Sequence, residues 1–252
     1  MTLAKTQSKP PTKGTEGIFL IDKPSGISSH GVVNRMRKIT GIKRVGHSGT
    51  LDPLASGLLI VLVGRNYTKL QSAFLKLDKT YSCTAKLGLT TNTYDITGQK
   101  INQANWEKLK YIDSTLMEKT LTKFRGKITQ TVPAFSAVKI AGQKLYDKAL
   151  GKTINQQDLP TRKVELYSLI LTQLKKDILT KEVYFSIETT VSSGTYIRSL
   201  IHDVGQDLGV GACVTELRRT KINNYDVTQA HQIFDLKTFS FGEQFLATSP
   251  RN

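Results

Sequence analysis

The sequence predicts an α+β fold on three observations. Residues 58–64 form a short apolar run of the kind that makes a strand buried on both faces. Residues 81–87, 164–174 and 183–191 alternate apolar and polar side chains, the period of two expected of a strand with one face on the core. Several further stretches repeat their apolar residues at helical spacing instead.

Taken in chain order, residues 1–16 are polar and basic and carry Pro10-Pro11, so they are expected to form a disordered tail without the apolar centre of a signal peptide. Residues 17–21 read as a strand, Asp22-Lys23-Pro24-Ser25-Gly26 as a tight turn, and Ser28 or Ser29 as the cap of a helix running to Gly41. That helix carries Arg35, Arg37 and Lys38. Residues 66–77 place Leu70, Phe74 and Leu77 at helical spacing, and residues 90–98 form a polar loop holding Asp95. A helix over 115–124 has Thr115 and Glu118 as a capping box and ends at Gly126.

Residues 130–162 are mixed in character. They interleave Lys139, Lys144, Lys148 and Lys152 with Phe135 and Tyr146, a composition suited to an arm that touches RNA backbone and bases, and equally to a surface helical hairpin. After Thr195 a helix sets Ile197, Leu200, Ile201, Val204 and Leu208 on one stripe, with Arg198 and His202 beside it. Arg198 thus falls in the first turn at the core boundary, where a guanidinium can reach inward to a carboxylate. Leu217-Arg218-Arg219-Thr220-Lys221 is a further basic element, and residues 227–236 read as a closing helix capped by Thr228.

A chain of 252 residues can bury a substantial core as one large domain. Its 36 lysines and arginines against 20 acids give a net charge of +16, which favours a polyanionic partner, nucleic acid first. No apolar run approaches a membrane span, and no basic amphipathic helix is present, so a membrane partner is not expected. Cys83 and Cys213 stand far apart without companion ligands, which argues against zinc or a disulfide framework and for buried thiols in a reducing compartment. Gly151-Lys152-Thr153 does not complete a phosphate loop, because Tyr146 occupies the position of the first glycine. No cofactor or metal is expected.

The most informative stretch is Gly46-His47-Ser48-Gly49-Thr50-Leu51-Asp52-Pro53-Leu54-Ala55-Ser56-Gly57. Glycines allow close backbone approach, Pro53 stiffens the chain, and Asp52 is a single acid in a loop almost free of other charge. A lone Asp-Pro is more often a turn whose acid caps backbone donors. Here the loop leads directly into the buried run at 58–64, so it is built to aim one carboxylate.

Three segments in order carry a resemblance: Asp22-Lys23-Pro24-Ser25-Gly26, Gly46-His47-Ser48-Gly49-Thr50-Leu51-Asp52-Pro53, and Gly194-Thr195-Tyr196-Ile197-Arg198. Together they resemble the TruB family of tRNA pseudouridine synthases, with support from residues 133–146 and from Leu217-Arg218-Arg219; the similarity covers residues 17–236. The resemblance implies the pseudouridine synthase fold: a mixed, mostly antiparallel sheet flanked by helices, with an inserted RNA-binding thumb at about 130–162. It implies isomerisation of uridine 55 in the T arm of tRNA, after the base is flipped from its stack.

On that resemblance Asp52 is the nucleophile, attacking ribose C1′ or uracil C6, and Arg198 pairs with it. Tyr81 stacks on the uracil and assists deprotonation at C5. His47 helps hold the flipped conformation. Lys23, Lys69, Tyr196, Lys139, Tyr146 and Arg218 match positions that contact substrate. The resemblance further implies a monomer and no nucleotide cofactor, in bacterial cytoplasm or, as the alternative, an organelle. Asn92 and Asn223-Asn224-Tyr225 depart from the family pattern, and the residues after Leu236 are too few for a C-terminal PUA domain. The competing reading is a catalytically silent tRNA-binding or RNA-chaperone protein of the same fold, which has no need of an acid set against a polyanion.

Overall fold

The computed structural model describes residues 14–136, 138–140, 143–145 and 156–233. The chain divides into two compact units, residues 1–81 with 217–252 and residues 82–216.

In the first unit the strand Gly17–Lys23 pairs antiparallel along its whole length with Ser56–Val63, from Gly17 opposite Val63 to Lys23 opposite Gly57. Ser56–Val63 has a second neighbour at each end. Val45–His47 pairs antiparallel with its last three residues, and Arg218–Arg219 pair parallel with Ser56 and Gly57. With partners on both edges and packing on both faces, residues 57–63 are all buried, as their unbroken apolar run requires.

Alternation divides the core in two. Phe19, Ile21, Leu59, Val61 and Val63 face Val32, Val33 and Met36, whereas Ile18, Leu20, Leu58, Ile60 and Leu62 pack with Phe74 and Ile222 on the opposite side. Each such side chain contributes about 1.5–3 kcal/mol of burial. The first face is covered by the helix Ser29–Thr40, which starts and stops where local chemistry dictates. The Ser28 hydroxyl accepts from the Gly31 N–H, and Gly41 closes the helix at φ 72°, donating to Arg37 O.

Two elements of this unit differ from the sequence reading. The helix expected over 66–77 is two short helices, Arg65–Thr68 and Gln71–Lys76. The Thr68 hydroxyl bonds back to Gly64 O and Arg65 O and the chain turns at Leu70, so Phe74 enters the core from the second helix. The closing helix over 227–236 is a single 3₁₀ turn, Val227–Gln229, capped by Asp226 rather than Thr228. His231–Gln232 then extends as a strand parallel to Ile21–Asp22, a pairing no local pattern announces, and residues 234–236 lie outside the described part.

The second unit is built on the long antiparallel pair Thr161–Asp177 and Glu182–Val191, with Gly126–Thr131 along the other side of residues 161–166. The predicted strands at 164–174 and 183–191 fall inside this pair. The alternation at 81–87 belongs to the strand Lys79–Leu87. Ala212–Ile222 is also a strand, although its charged half had been legible only as a basic element. The polar loop at 90–98 begins in a small hairpin, Leu89–Thr91 with Lys100–Gln103.

The helix predicted over 115–124 spans Ser114–Thr122, and its cap is Asp113, whose carboxylate accepts from Leu116 N at 2.8 Å. The Thr115–Glu118 box does not form: Thr115 is already helical, and Glu118 pairs with Arg125. The helix Ile197–Asp207 buries Ile197, Leu200, Ile201 and Val204 of the predicted stripe, while Leu208 follows as the half-buried C-cap. Of the arm expected at 130–162, the described part includes the two-stranded ribbon of Lys139–Ile140 with Gln143–Lys144, while Tyr146, Lys148 and Lys152 lie outside the described residues, as does the tail at 1–13. Cys83 and Cys213 are buried free thiols, and burial raises both, Cys213 to about 11.

Candidate active site

The loop between Val45–His47 and Ser56–Val63 is pinned almost residue by residue. Ser48 N–H donates to Ile60 O and the Ser48 hydroxyl accepts from Ile60 N. The Ser29 hydroxyl, at the start of the first helix, bonds both the carbonyl and the N–H of Leu51. Gly26 N–H donates to Pro53 O, and the Ser25 hydroxyl donates to Leu54 O. The turn Asp22–Gly26 therefore holds one side of the loop. Buried Leu51 and Ala55 anchor it on both sides of Asp52, whose residue stays half-buried.

The closure of this loop depends on Arg219. Its side chain is 1% exposed; Nε donates to Leu58 O at 2.7 Å and Nη2 to Gly49 O at 3.1 Å, so one guanidinium ties the two ends together. Gly57 makes this approach possible. It sits at φ 104°, and a Cβ there would stand 2.2 Å from Arg219 O.

Arg219 also shapes the electrostatics. Lys23 is fully buried, with its ammonium on Pro24 O and Ile27 O; burial pushes it down to about 8, opposed by the charge of Asp52 and assisted by that of Arg219. Lys79, bonded to Leu75 O and Leu77 O, is likewise lowered to about 8 by burial, then by Arg219. His47 is held below its usual value by burial, by Arg219 and by His30. Its Nδ1 accepts from Gly49 N–H at 3.2 Å, which leaves Nε2 to carry the proton of a neutral ring.

In the second unit Arg198 is buried in the first turn of Ile197–Asp207. Nη1 donates to Thr93 O at 2.7 Å and Nη2 to Phe135 O at 2.9 Å, and Asp95 Oδ2 lies 3.7 Å away. Asp95 is fixed in turn: its Oδ1 accepts from Thr93 Oγ1, Thr97 N and Thr97 Oγ1. The buried Gln130 amide bonds both the N–H and the carbonyl of Tyr196, which sets the start of the helix, and the Arg162 guanidinium lies 5.9 Å over the Tyr196 ring.

A half-buried carboxylate on a glycine-flanked loop, near buried cations satisfied by backbone carbonyls, is a group with the chemistry to act as a nucleophile, a base or an ion-pair partner. Residues 37–197 match the N-terminal domain of the TruB family of pseudouridylate synthases, and residues 198–248 match the tRNA pseudouridylate synthase B C-terminal domain. The chain belongs to the TruB family. Among TruB-family relatives, the tRNA pseudouridine synthase B of Prochlorococcus marinus is 40% identical over 220 residues, 87% of this chain and 67% of the relative. That of Protochlamydia amoebophila is 40% identical over 87% of this chain and 79% of the relative; that of Aquifex aeolicus is 39% identical over 92% and 77%.

Solved structures share the fold. A chain of an H/ACA RNP bound to a substrate RNA containing 2′-deoxyuridine superposes with a TM-score of 0.62 at 22% identity, and one of a Cbf5-Nop10-Gar1 complex with 0.62 at 25%. This chain covers 93% and 92% of itself in those comparisons and spans 62% and 63% of those chains. The sheet of this TruB-family chain is mixed and mostly antiparallel, flanked by helices. No helix among the described residues is long and apolar enough to cross a membrane.

The TruB motif residues fall as follows. Asp52 and Lys23 interact electrostatically in the first unit, where His47 shares with Lys23 the field of Arg219, and Tyr81 is buried at the end of that unit, in the strand Lys79–Leu87 that runs on into the second. Lys69 is exposed at the end of the short helix Arg65–Thr68. Arg218 makes a bidentate pair with Asp22, at 3.0 and 2.7 Å, so its fork is engaged within the chain. Tyr196 and Arg198 stand together at one helix start in the second unit. Lys139 is described only as backbone of the ribbon. Arg219, Lys79 and Asp95 were given no site role from the sequence; for Arg219 the available signal was the strand period, which buries Leu217 and Arg219 and leaves Arg218 half-exposed.

Proposed function

We propose that this protein isomerises a uridine of tRNA to pseudouridine with Asp52 as the nucleophile. The observation that carries the assignment is the Asp52 loop of a TruB-family chain, closed by the Arg219 guanidinium on Leu58 O and Gly49 O. In the reaction the bond from ribose C1′ to uracil N1 breaks, the detached base turns while held, C5 bonds to C1′, the C5 proton leaves, and N1 takes up a proton from solvent in its place. The Asp52 carboxylate attacks C1′ or C6 and is released when the new glycosidic bond is complete. No electron is gained or lost overall.

Tyr81, buried in the same unit as the loop, is assigned the stacking surface for the uracil and assistance at C5. Neutral His47 offers an Nε2–H donor to the flipped nucleotide or its phosphate. Arg198 is assigned as the counter-ion of Asp52, on the resemblance alone. The target, uridine 55 of the T arm, the monomeric state and the bacterial cytoplasm rest on the same resemblance. A net charge of +16 supports binding to tRNA through many phosphate contacts.

The test is tritium release from tRNA transcripts labelled at uracil C5. The intact protein should release tritium from a tRNA transcript, and should not from one lacking uridine 55. Asp52→Asn should fall to background while its tRNA affinity stays within about threefold, since removal of a nucleophile typically costs on the order of 10⁴ or more in rate. Tight tRNA binding with no release from any transcript would overturn the enzymatic assignment in favour of a silent binder.

A further inference from the structure

Thr93 and Asp95 both hold Arg198, and Tyr94 lies between them with its backbone at φ 63°, a left-handed conformation costly for a bulky residue. The Tyr94 ring stacks on the His202 ring, with centroids 3.9 Å apart and planes at 14°. His202 stands one helical turn after Arg198, on the same side of Ile197–Asp207. It is 7% exposed, and among the described residues its buried Nδ1 has no hydrogen-bond partner. The imidazole is therefore fixed there by ring contact rather than by a bond to Nδ1.

We infer that the Tyr94–His202 stack is a positioning device for Arg198. The loop grips the helix at two successive turns: the backbone and acid flanking Tyr94 take the guanidinium, and the ring of Tyr94 takes the imidazole. The strained φ places the ring outward onto the helix while its two neighbours turn toward Arg198. Without the ring, position 94 keeps its backbone bonds, its N–H on Thr91 O and its carbonyl on Val214 N, but loses its hold on the helix that carries Arg198, so Thr93 O and Asp95 no longer fix the guanidinium in one place. The inference rests on the role proposed for Arg198 in the reaction.

Tyr94→Gly separates strain from stacking, because glycine adopts φ 63° freely yet removes the ring. It should fold with a melting temperature close to that of the parent and bind tRNA with unchanged Kd, but lose tenfold or more in single-turnover rate. Tyr94→Phe, which keeps the stack, should retain the rate within twofold. In an Arg198→Lys background the same Tyr94→Gly change should cost less than twofold. A purely structural role would show equal losses in both backgrounds, and that result overturns the inference.

His202→Leu, similar in size and without a planar ring, should reproduce the Tyr94→Gly loss and stands in for it if that variant does not fold. The second readout does not depend on turnover: guanidinium N–H signals of Arg198, assigned by their loss in Arg198→Lys, should exchange slowly in the parent and in Tyr94→Phe and rapidly in Tyr94→Gly. Slow exchange in all three overturns the inference. Parent protein that releases no tritium, with the exchange pattern as expected, would refute the enzymatic assignment and leave the stack's hold on Arg198 standing.

Discussion

Adjacent arginines 218 and 219 do opposite work. Arg218 is half-exposed and bidentate on Asp22, an ordinary ion pair, whereas Arg219 is buried on two carbonyls of the Asp52 loop, and its charge lowers Lys23, Lys79 and His47. Arg219→Met should therefore act on groups it does not touch. Removing the cation should raise the pKa of His47, followed by NMR titration of its ring, and loosening the loop should lower kcat at least tenfold. An unmoved His47 titration would refute the electrostatic part. The family resemblance singled out Arg218; Arg219 was not separated from it because charges at 216, 218, 219 and 221 hide the period of two in this strand, and only the period separates an inward arginine from an outward one.

At the scale of elements, legibility followed locality. The helix Ser29–Thr40 was readable to its caps because Ser28 and Gly41 act within one turn of themselves. The strand His231–Gln232 was not, since its only signature is a partner two hundred residues away in the chain. The Asp52 loop lies between these cases. Its glycines announced a tight approach, but what they approach, the backbone of Arg219, is distant in sequence. Gly57→Ala tests this. The added Cβ meets backbone at 2.2 Å and cannot relax by a rotamer change, and φ 104° is closed to alanine. Together these should cost about 3 kcal/mol or more. Urea unfolding should show that loss, and a variant as stable as the parent would mean that the strand end shifts freely and that Arg219 does not close the loop.

At the scale of the whole molecule, a surplus of sixteen positive charges is usually solvated, yet two lysines of this chain are buried and satisfied by carbonyls rather than carboxylates. Folding carries Lys23 and Lys79 from 10.5 down to about 8, so between pH 8 and 10.5 the unfolded chain binds more protons than the folded one. Stability should therefore rise with pH across that window, the reverse of the effect of a lysine that gains a partner. Lys86 and Lys110, whose pairs with Glu182 and Glu107 raise them, act above 10.5 and with the opposite sign. Relief of general charge repulsion also favours the folded state as pH rises, so the slope of the parent alone does not isolate the buried pair. Lys79→Met does: urea midpoints at pH 8, 9 and 10 should climb less steeply in the variant than in the parent, and identical slopes would mean that Lys79 keeps its ordinary affinity for protons in the folded protein.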